Sequence, residues 1–485
     1  MNNHISQPDS GRSSLLSRRD VLAVGASGLA ASLLPTFVPG PAWGEATRAS
    51  SKHFRIASIE RTTVKMPFRP IPARNMAREL PHWAWSEVFE VKLESGHVGF
   101  GETLLYYTWE ASTDEDVLRA RGKNAVELMW DDTLGAGLQM ALFDAVGRAV
   151  DAPVHALLGT QVNKRTPLSW WNIDTSAEDM AAECKEALRL GYMAYKTKGR
   201  PWFDVWKQMG LSAKAVPDNF KIDMDFNDTL LDAKRAIPIL KYLEKYPQVS
   251  IYESPIFQTD IEGNQQIRKA TRVPIAMHYG KPKAVVAIRK EICDGFVIGG
   301  GATRVMTQGR VAAMADMPFW LQLVGSGITA SFSLHFGGVS SHATWPAVNC
   351  HQLYEHSLLT EPIRLKEGFA DVPGKPGLGF ELDRDLIERL RVPKPKQRPD
   401  PARLIETTWA DGRKMYFGNT GSVNFVLNPA RKGKVPFFEK GVTTRLLPND
   451  GSARWKDLYR RANRGPLLIR SRARLCRKTL PESKS

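Results

Sequence analysis

Cysteine is scarce: 4 in 485 residues, Cys184, Cys293, Cys350 and Cys476, with no pair at metal-finger spacing. That excludes a cysteine-held zinc module and a disulfide-stapled scaffold. One disulfide in an oxidising compartment is compatible with the count, although the expectation is that most of the four are free and buried. Long apolar runs are missing too. The longest, Ala23 to Val38, is too short and too rich in Gly, Ala and Pro to span a bilayer comfortably. No Gly-rich phosphate fingerprint follows a first strand, which argues against a doubly wound nucleotide fold. Acidic residues are thin at one end only: from Val392 to Ser485 there are 22 Lys and Arg against 7 Asp and Glu, leaving 45 against 44 in the rest of the chain.

What is present is enough for a large core. With 42% hydrophobic and 24% charged residues, the chain reads as globular with two or three domains. Its first 44 residues stand apart. Ser17-Arg18-Arg19-Asp20-Val21-Leu22 precedes the mildly apolar run, and Ala42 and Gly44 suit a cleavage site, so residues 1–44 read as a twin-arginine-type export signal. The expected location is periplasmic or secreted.

The basic end begins with the Pro- and Lys-rich linker VPKPKQRPDP and is taken as an extension over residues 392–485. Such a tail suits an anionic polymer or a membrane surface, with nucleic acid the less expected partner. The alternative is an extension wrapped on the main body, which Trp409, Tyr416, Phe417 and Phe425 favour because aromatic residues pack.

Between these ends lie two patterns. Residues 55–165 begin with strand-like alternation in RIASIERTTVKM, a Pro- and Arg-rich loop from Pro67 to Pro81, and VFEVKLESGHVGFGET with a hairpin turn at Glu94-Ser95-Gly96. A helix follows, with Leu138, Ala141, Leu142, Ala145 and Ala149 at helical spacing. Over residues 166–391 short apolar strands recur. The strand-end residues Lys198, Asp223, Glu253 and His278 lie 25, 30 and 25 residues apart, the length of a βα unit. FVIGG and FWLQLVG continue the series, which fits a (β/α) barrel with its site at the carboxyl ends of the strands.

The residue types at those ends suit one chemistry. Taking a proton from the carbon beside a carboxylate puts a second negative charge on an anion, so a cation and ammonium groups must stabilise it. Lys196 and Lys198 are two apart on one strand and share a face. Like charges side by side favour one amine acting as base while the other stays cationic. Asp223 and Glu253 are hard oxygen donors suited to Mg²⁺, and Asp225 shares the face of Asp223.

Together these segments resemble the enolase superfamily, in particular its mandelate racemase and muconate lactonizing branch. VFEVKLESGHVGFGET resembles the hairpin of the capping domain, and ALFDAVGRAVDAPVHALLG the helix leading into the barrel. YKTKG resembles the Lys-x-Lys strand, KIDMDF and IYESP the metal-carboxylate strands, and PGLGFELD the closing segment. The resemblance covers about residues 55–392 and implies an α/β fold, an α+β cap over a modified TIM-type barrel. It also implies Lys198 as base, Lys196 as its electrostatic partner, and a Mg²⁺ site on Asp223, Glu253 and the residue at position 278.

Three positions depart from the pattern. His278 stands where the family places an acid, which leaves two carboxylates and tilts preference from Mg²⁺ toward Mn²⁺ or another nitrogen-tolerant divalent ion; the alternative is a histidine that only hydrogen-bonds. CDGFVIGGGAT carries no lysine for the opposite face of the substrate, Asp294 has no histidine partner in LQLVGSGIT, and Gly325 falls where many relatives have an acid. A one-sided base favours elimination over racemisation, which uses groups on both faces. The expected activity is therefore a lyase or dehydratase of a hydroxy or sugar acid. The alternatives are a racemase, epimerase or cycloisomerase of the same superfamily, and a catalytically degenerate exported binding protein. The expected partner is a small anionic carboxylate, read by cap residues between Arg69 and Trp85 that include Arg74, Arg78, His82 and Trp83; homo-oligomer formation is left open.

Overall fold

The computed structural model describes residues 52–107 and 110–469; the twin-arginine segment and Cys476 lie outside them. The first unit is an antiparallel sheet of β1 (Ile56–Lys65), β2 (Trp85–Leu93) and β3 (Val98–Leu104) in the order β1-β2-β3. Gly96 makes the β2–β3 turn with φ +88°, a left-handed value that a residue without Cβ adopts freely. Helix α2 (Ala136–Ala149) packs onto β3 so closely that a Cβ on Gly101 would stand 2.0 Å from the Gly137 carbonyl oxygen. Glycine there is a packing requirement.

The segment expected as a loop from Pro67 to Pro81 is instead helix α1 (Pro70–Glu79), followed by a 3₁₀ turn over Pro81–Ala84. The prolines misled: Pro70 and Pro72 fall in the first turn, where a missing N–H costs nothing. Three of the basic residues expected there to select substrate serve to join α1 to the barrel. Arg69 and Arg74 pair with Glu183 and Asp179 on the helix Ala177–Arg189, and Arg78 donates to the Asp174 carbonyl.

The barrel is built from β4 (Arg165–Trp171), β5 (Ala194–Lys198), β6 (Lys221–Asp225), β7 (Val249–Glu253), β8 (Ile275–His278), β9 (Gly295–Ile298), β10 (Phe319–Leu321) and β11 (Ala347–Val348). All pair in parallel in the order β10-β9-β8-β7-β6-β5-β4-β11, and β11 lies against β10, so the ring is nearly closed. Helices alternate with the strands, and β12 (Phe369–Asp371) adds antiparallel to β4. The closing segment ties cap to barrel: buried Asp144 of α2 accepts from the Phe100 N–H at 2.8 Å and the Leu378 N–H at 2.7 Å. Cys184, Cys293 and Cys350 are free and buried, and no helix among the described residues is long and apolar enough to cross a membrane.

Within the basic extension, residues up to 469 form an antiparallel sheet of β13 (Leu404–Thr408), β14 (Lys414–Gly418), β15 (Thr443–Leu447) and β16 (Leu467–Ile469), in the order β15-β13-β14-β16. One face packs under the helix Ala453–Ala462 through Leu404, Tyr416, Trp455 and Leu458. The other meets the barrel: Ile405, Trp409, Met415 and Phe417 share one core with Trp202 and Phe203, which follow β5.

Candidate active site

Strand alternation sends Tyr195 and Thr197 outward under the helices and Lys196 and Lys198 inward. Register then decides which carboxylates they meet. β5 and β6 pair Lys196 with Asp223 and Lys198 with Asp225. Between β6 and β7 the register shifts after Ile222, so that Asp223 stands beside Ile251 and Asp225 beside Glu253. The outer layer of the barrel mouth is therefore Lys198, Asp225 and Glu253; Lys196 and Asp223 form the layer beneath.

Two ion pairs fill these layers. The Lys196 ammonium reaches outward to Glu253, donates to Gln322 Oε1 at 3.1 Å and lies 4.8 Å from the centre of the Trp320 ring. Both partners of this pair are 1% exposed. Burial works to strip the Lys196 proton, but the Glu253 and Asp225 charges outweigh it, and its pKa is raised. Burial likewise works to protonate Glu253, yet Lys196 and then His278 hold it well below the usual carboxylate range. His278 Nε2 stands 2.9 Å from Glu253 Oε1. Neither contact is aligned as a hydrogen bond, so the Glu253 carboxylate is held by charge and not by directed donors. The second pair joins Lys198 Nζ to Asp225 Oδ2 at 2.5 Å, and Asp225 Oδ1 accepts from the Asn227 N–H at 2.7 Å.

Asp223 takes no part in these pairs. Its Oδ1 accepts from the Ser250 hydroxyl at 2.5 Å, and burial pushes its pKa up to about 7. The sequence placed Asp223 with Glu253 and His278 around one cation. The structure brings Glu253 and His278 together and puts Asp225, not Asp223, in the layer of Glu253. Among the described residues no three His, Cys, Asp or Glu groups converge as a metal-holding set.

Above the pairs opens a cavity of about 350 Å³. Lys198, Asp225, His278 and Gln322 form its floor; Leu80, His82, Trp83, Tyr106 and Tyr107 come from the cap, and Trp171 and Trp202 from the barrel. Trp83 stacks on Trp171 at 5.4 Å and packs against Tyr107 at 4.1 Å. His82, anticipated from the sequence, does face the cavity, and burial lowers its pKa to about 4, so it is neutral near pH 7. Gln322 and Tyr107 were not anticipated. Gln322 follows a buried apolar strand in FWLQLVG, where a single polar residue at a strand end was the available signal. Asp294 lies away from this mouth, binding Arg268 at 2.7 Å and the Ile275 N–H at 2.8 Å. Gly325 abuts Thr329 and Glu102, so an acid could not fit there without displacing both.

A cap on a parallel barrel, with lysines on one strand and carboxylates on the next two, defines an enolase-type architecture. Residues 179–386 match the family model for Enolase C-terminal domain-like proteins. D-gluconate dehydratase of Thermoproteus tenax is 25% identical over 314 residues, which are 56% of this chain and 60% of that enzyme, so the chain spans under two thirds of that relative's length. Other curated relatives include further sugar-acid dehydratases, a racemase and cycloisomerases. The solved 2-chloromuconate cycloisomerase of Rhodococcus opacus 1CP shares 20% identity over 70% of this chain and 99% of its own, with TM-score 0.58. An enolase from Thermobispora bispora, solved with magnesium and formate, shares 18% identity over 70% of this chain and 92% of its own, with TM-score 0.57. At these identities the structural likeness speaks for the fold. The family-model match and the curated relatives make the chain similar to the enolase superfamily, in particular to enzymes of its mandelate racemase and muconate lactonizing branch.

The burial of Lys196 makes a stability prediction. Lys196→Met leaves the Glu253 charge buried beside only an imidazole, and removing one partner of such a pair costs about 3–5 kcal/mol. Lys198→Ala, at the open end, costs clearly less. Urea unfolding of both variants checks the order, and Lys196→Met/Glu253→Gln recovers part of the loss; a Lys196→Met no less stable than Lys198→Ala contradicts the account.

Proposed function

We propose that this protein is an exported lyase that removes the proton beside the carboxylate of a hydroxy or sugar acid, with Lys198 as the base and Lys196 as a fixed cation. One observation carries the reading: Lys198 is the amine that opens into the cavity, while Lys196 is held behind it against Glu253. The proton on the α-carbon passes to Lys198 Nζ, and its electron pair spreads onto the substrate carboxylate as an enolate. Collapse of that anion forms the C=C bond and breaks the C–O bond of the β-hydroxyl. The departing hydroxide takes the proton back from Lys198 and leaves as water; the enol product then becomes a keto acid. One group acts in turn as base and acid. At the ends of β9 and β10 themselves the cavity and the groove beside it are edged by Val297, Gly299, Gly300, Gln322 and Val324, none of which titrates; Tyr279 and Arg304 line the groove from neighbouring elements. This favours elimination over racemisation.

Members of the superfamily bind Mg²⁺, and a solved neighbour holds it. In this chain a divalent ion would be held by Glu253 and His278, the two donors already face to face, with Asp223 and Asp225 the nearby carboxylates. A carboxylate held by charge alone, with no directed donors, suits replacement of its counter-ion by a metal. The imidazole favours Mn²⁺ over Mg²⁺. Such an ion supplies positive charge where the enolate develops. A second reading, a binding protein without turnover, draws on the lack of a three-donor group among the described residues.

Three measurements bear on this. In a library of acid sugars, wild-type protein is expected to release water from at least one member, and Lys198→Ala to lose at least about 10²-fold of that rate; turnover surviving the substitution removes Lys198 as base. Elemental analysis after dialysis with Mn²⁺ is expected to show near-stoichiometric metal that Glu253→Gln loses, and protein that takes up no metal favours the binding reading. The Arg18-Arg19 pair supports export. Fractionation should find the protein outside the cytoplasm and Arg18→Lys/Arg19→Lys retained inside; equal export of both overturns the localisation.

A further inference from the structure

The cavity has a wall that the cap and barrel do not supply. Val423, Asn424, Val426, Leu427 and Arg431, all from the basic extension, line it together with Lys198 and Asp225. This wall is anchored on three sides. Trp202 and Phe203 are buried in the core of the extension, and Phe438 enters the main core beside Phe226, ring centres 6.1 Å apart. Arg403, 3% exposed, donates from Nη1 to the Arg78 and Glu79 carbonyls at 2.8 and 2.9 Å. Arg431 donates from Nε to the Asn227 carbonyl at 2.8 Å and pairs with Asp228 at 3.3 Å.

We propose that residues 392–469 are the specificity element of the site, and that Asn424 and Arg431 read the hydroxyl-bearing far end of a polyhydroxylated monocarboxylate whose acid end lies at Lys198. The inference rests on the proposed function for the position of the acid end. A guanidinium has five N–H donors in a fixed plane. Asn227 and Asp228 orient that plane and leave donors for the cavity, while the Asp228 charge offsets the Arg431 charge. A wall so balanced favours neutral hydroxyls over a second acid group. The aromatic sides, Trp83, Tyr107 and Trp171, offer flat faces to the C–H edges of such a chain. At about 350 Å³ the cavity lies near the small end of ligand sites, about 300–1,000 Å³, and suits a ligand of this size.

Calorimetric titration of the full chain with gluconate, galactarate and lactate tests this. Wild type is expected to bind gluconate more tightly than lactate, which is too short to reach the wall, and more tightly than the diacid galactarate. Asn424→Ala, at an exposed position, and Arg431→Lys, which keeps the charge facing Asp228 but loses the fork, should each weaken gluconate about fivefold, the worth of one hydrogen bond, and leave lactate unchanged. Equal weakening of gluconate and lactate, or none, overturns the wall's role; tighter galactarate, or wild type binding no gluconate, overturns the substrate class. The arms separate the two proposals: turnover of acids without the gluconate effect sinks only the wall, and the gluconate effect without Lys198-dependent turnover sinks only the lyase.

Discussion

A lysine ammonium and a glutamate carboxylate, both shut away from water, face each other across the mouth of the barrel, and the site is organised around them. Desolvating two charges is expensive and is repaid only where each finds its partner at close range. Lys196 meets that condition with Glu253, Gln322 and the face of Trp320. The pair spans two barrel layers, since Lys196 starts one layer below Glu253 and reaches up to it. That reach fixes a positive charge under the cavity floor and leaves Lys198 as the amine facing the cavity.

The same pair governs what a cation would encounter. Glu253 is the most strongly acidified carboxylate of the group, whereas burial has pushed Asp223 up to about 7 and turned it toward Ser250. With His278 replacing an acid, less negative charge remains at the strand ends than three ionised carboxylates would supply. Ammonium groups already balance much of it. A divalent ion here would compete with Lys196 for Glu253, and its affinity would then be linked to the position of Lys196.

Much of this was legible in the sequence because it follows from period and spacing. Alternation placed Lys196 and Lys198 on one face, and the recurrence of strand ends from Lys198 to His278 marked the barrel. Register was not legible: nothing in KIDMDF or in QVSIYE announces the shift after Ile222 that brings Asp225 rather than Phe226 level with Glu253. Pro70 and Pro72 looked like loop residues because a proline reads alike in a turn and in a first helical turn. Tyr107 reaches the site across the cap, and Gln322 closes a strand far along the chain, so no local pattern joined them to the lysines. In the tail, composition left two readings open, an external anion and packing on the main body, and the aromatic residues favoured the second.

Arginines of the extension bind backbone of the cap and barrel. A helix ends with carbonyls that have no intrahelical partner, and Arg403 donates to two of them at the end of α1, the Arg78 and Glu79 oxygens. Arg431 does the same for the carbonyl of Asn227, where the backbone leaves β6 with φ +43° at Asn227 and +67° at Asp228. Strained backbone beside a site needs surroundings that hold it. Within the sheet, Glu406 is shared by Lys414 and Arg445, and Arg413 bridges Asp411 and Glu439. Much of the positive charge is thus paired within the extension or directed at the backbone of the cap and barrel. Since the cap reaches the cavity through the residues just after α1, a donor that fixes the end of α1 from the same module that walls the cavity makes the shape of the site depend on all three parts of the chain at once.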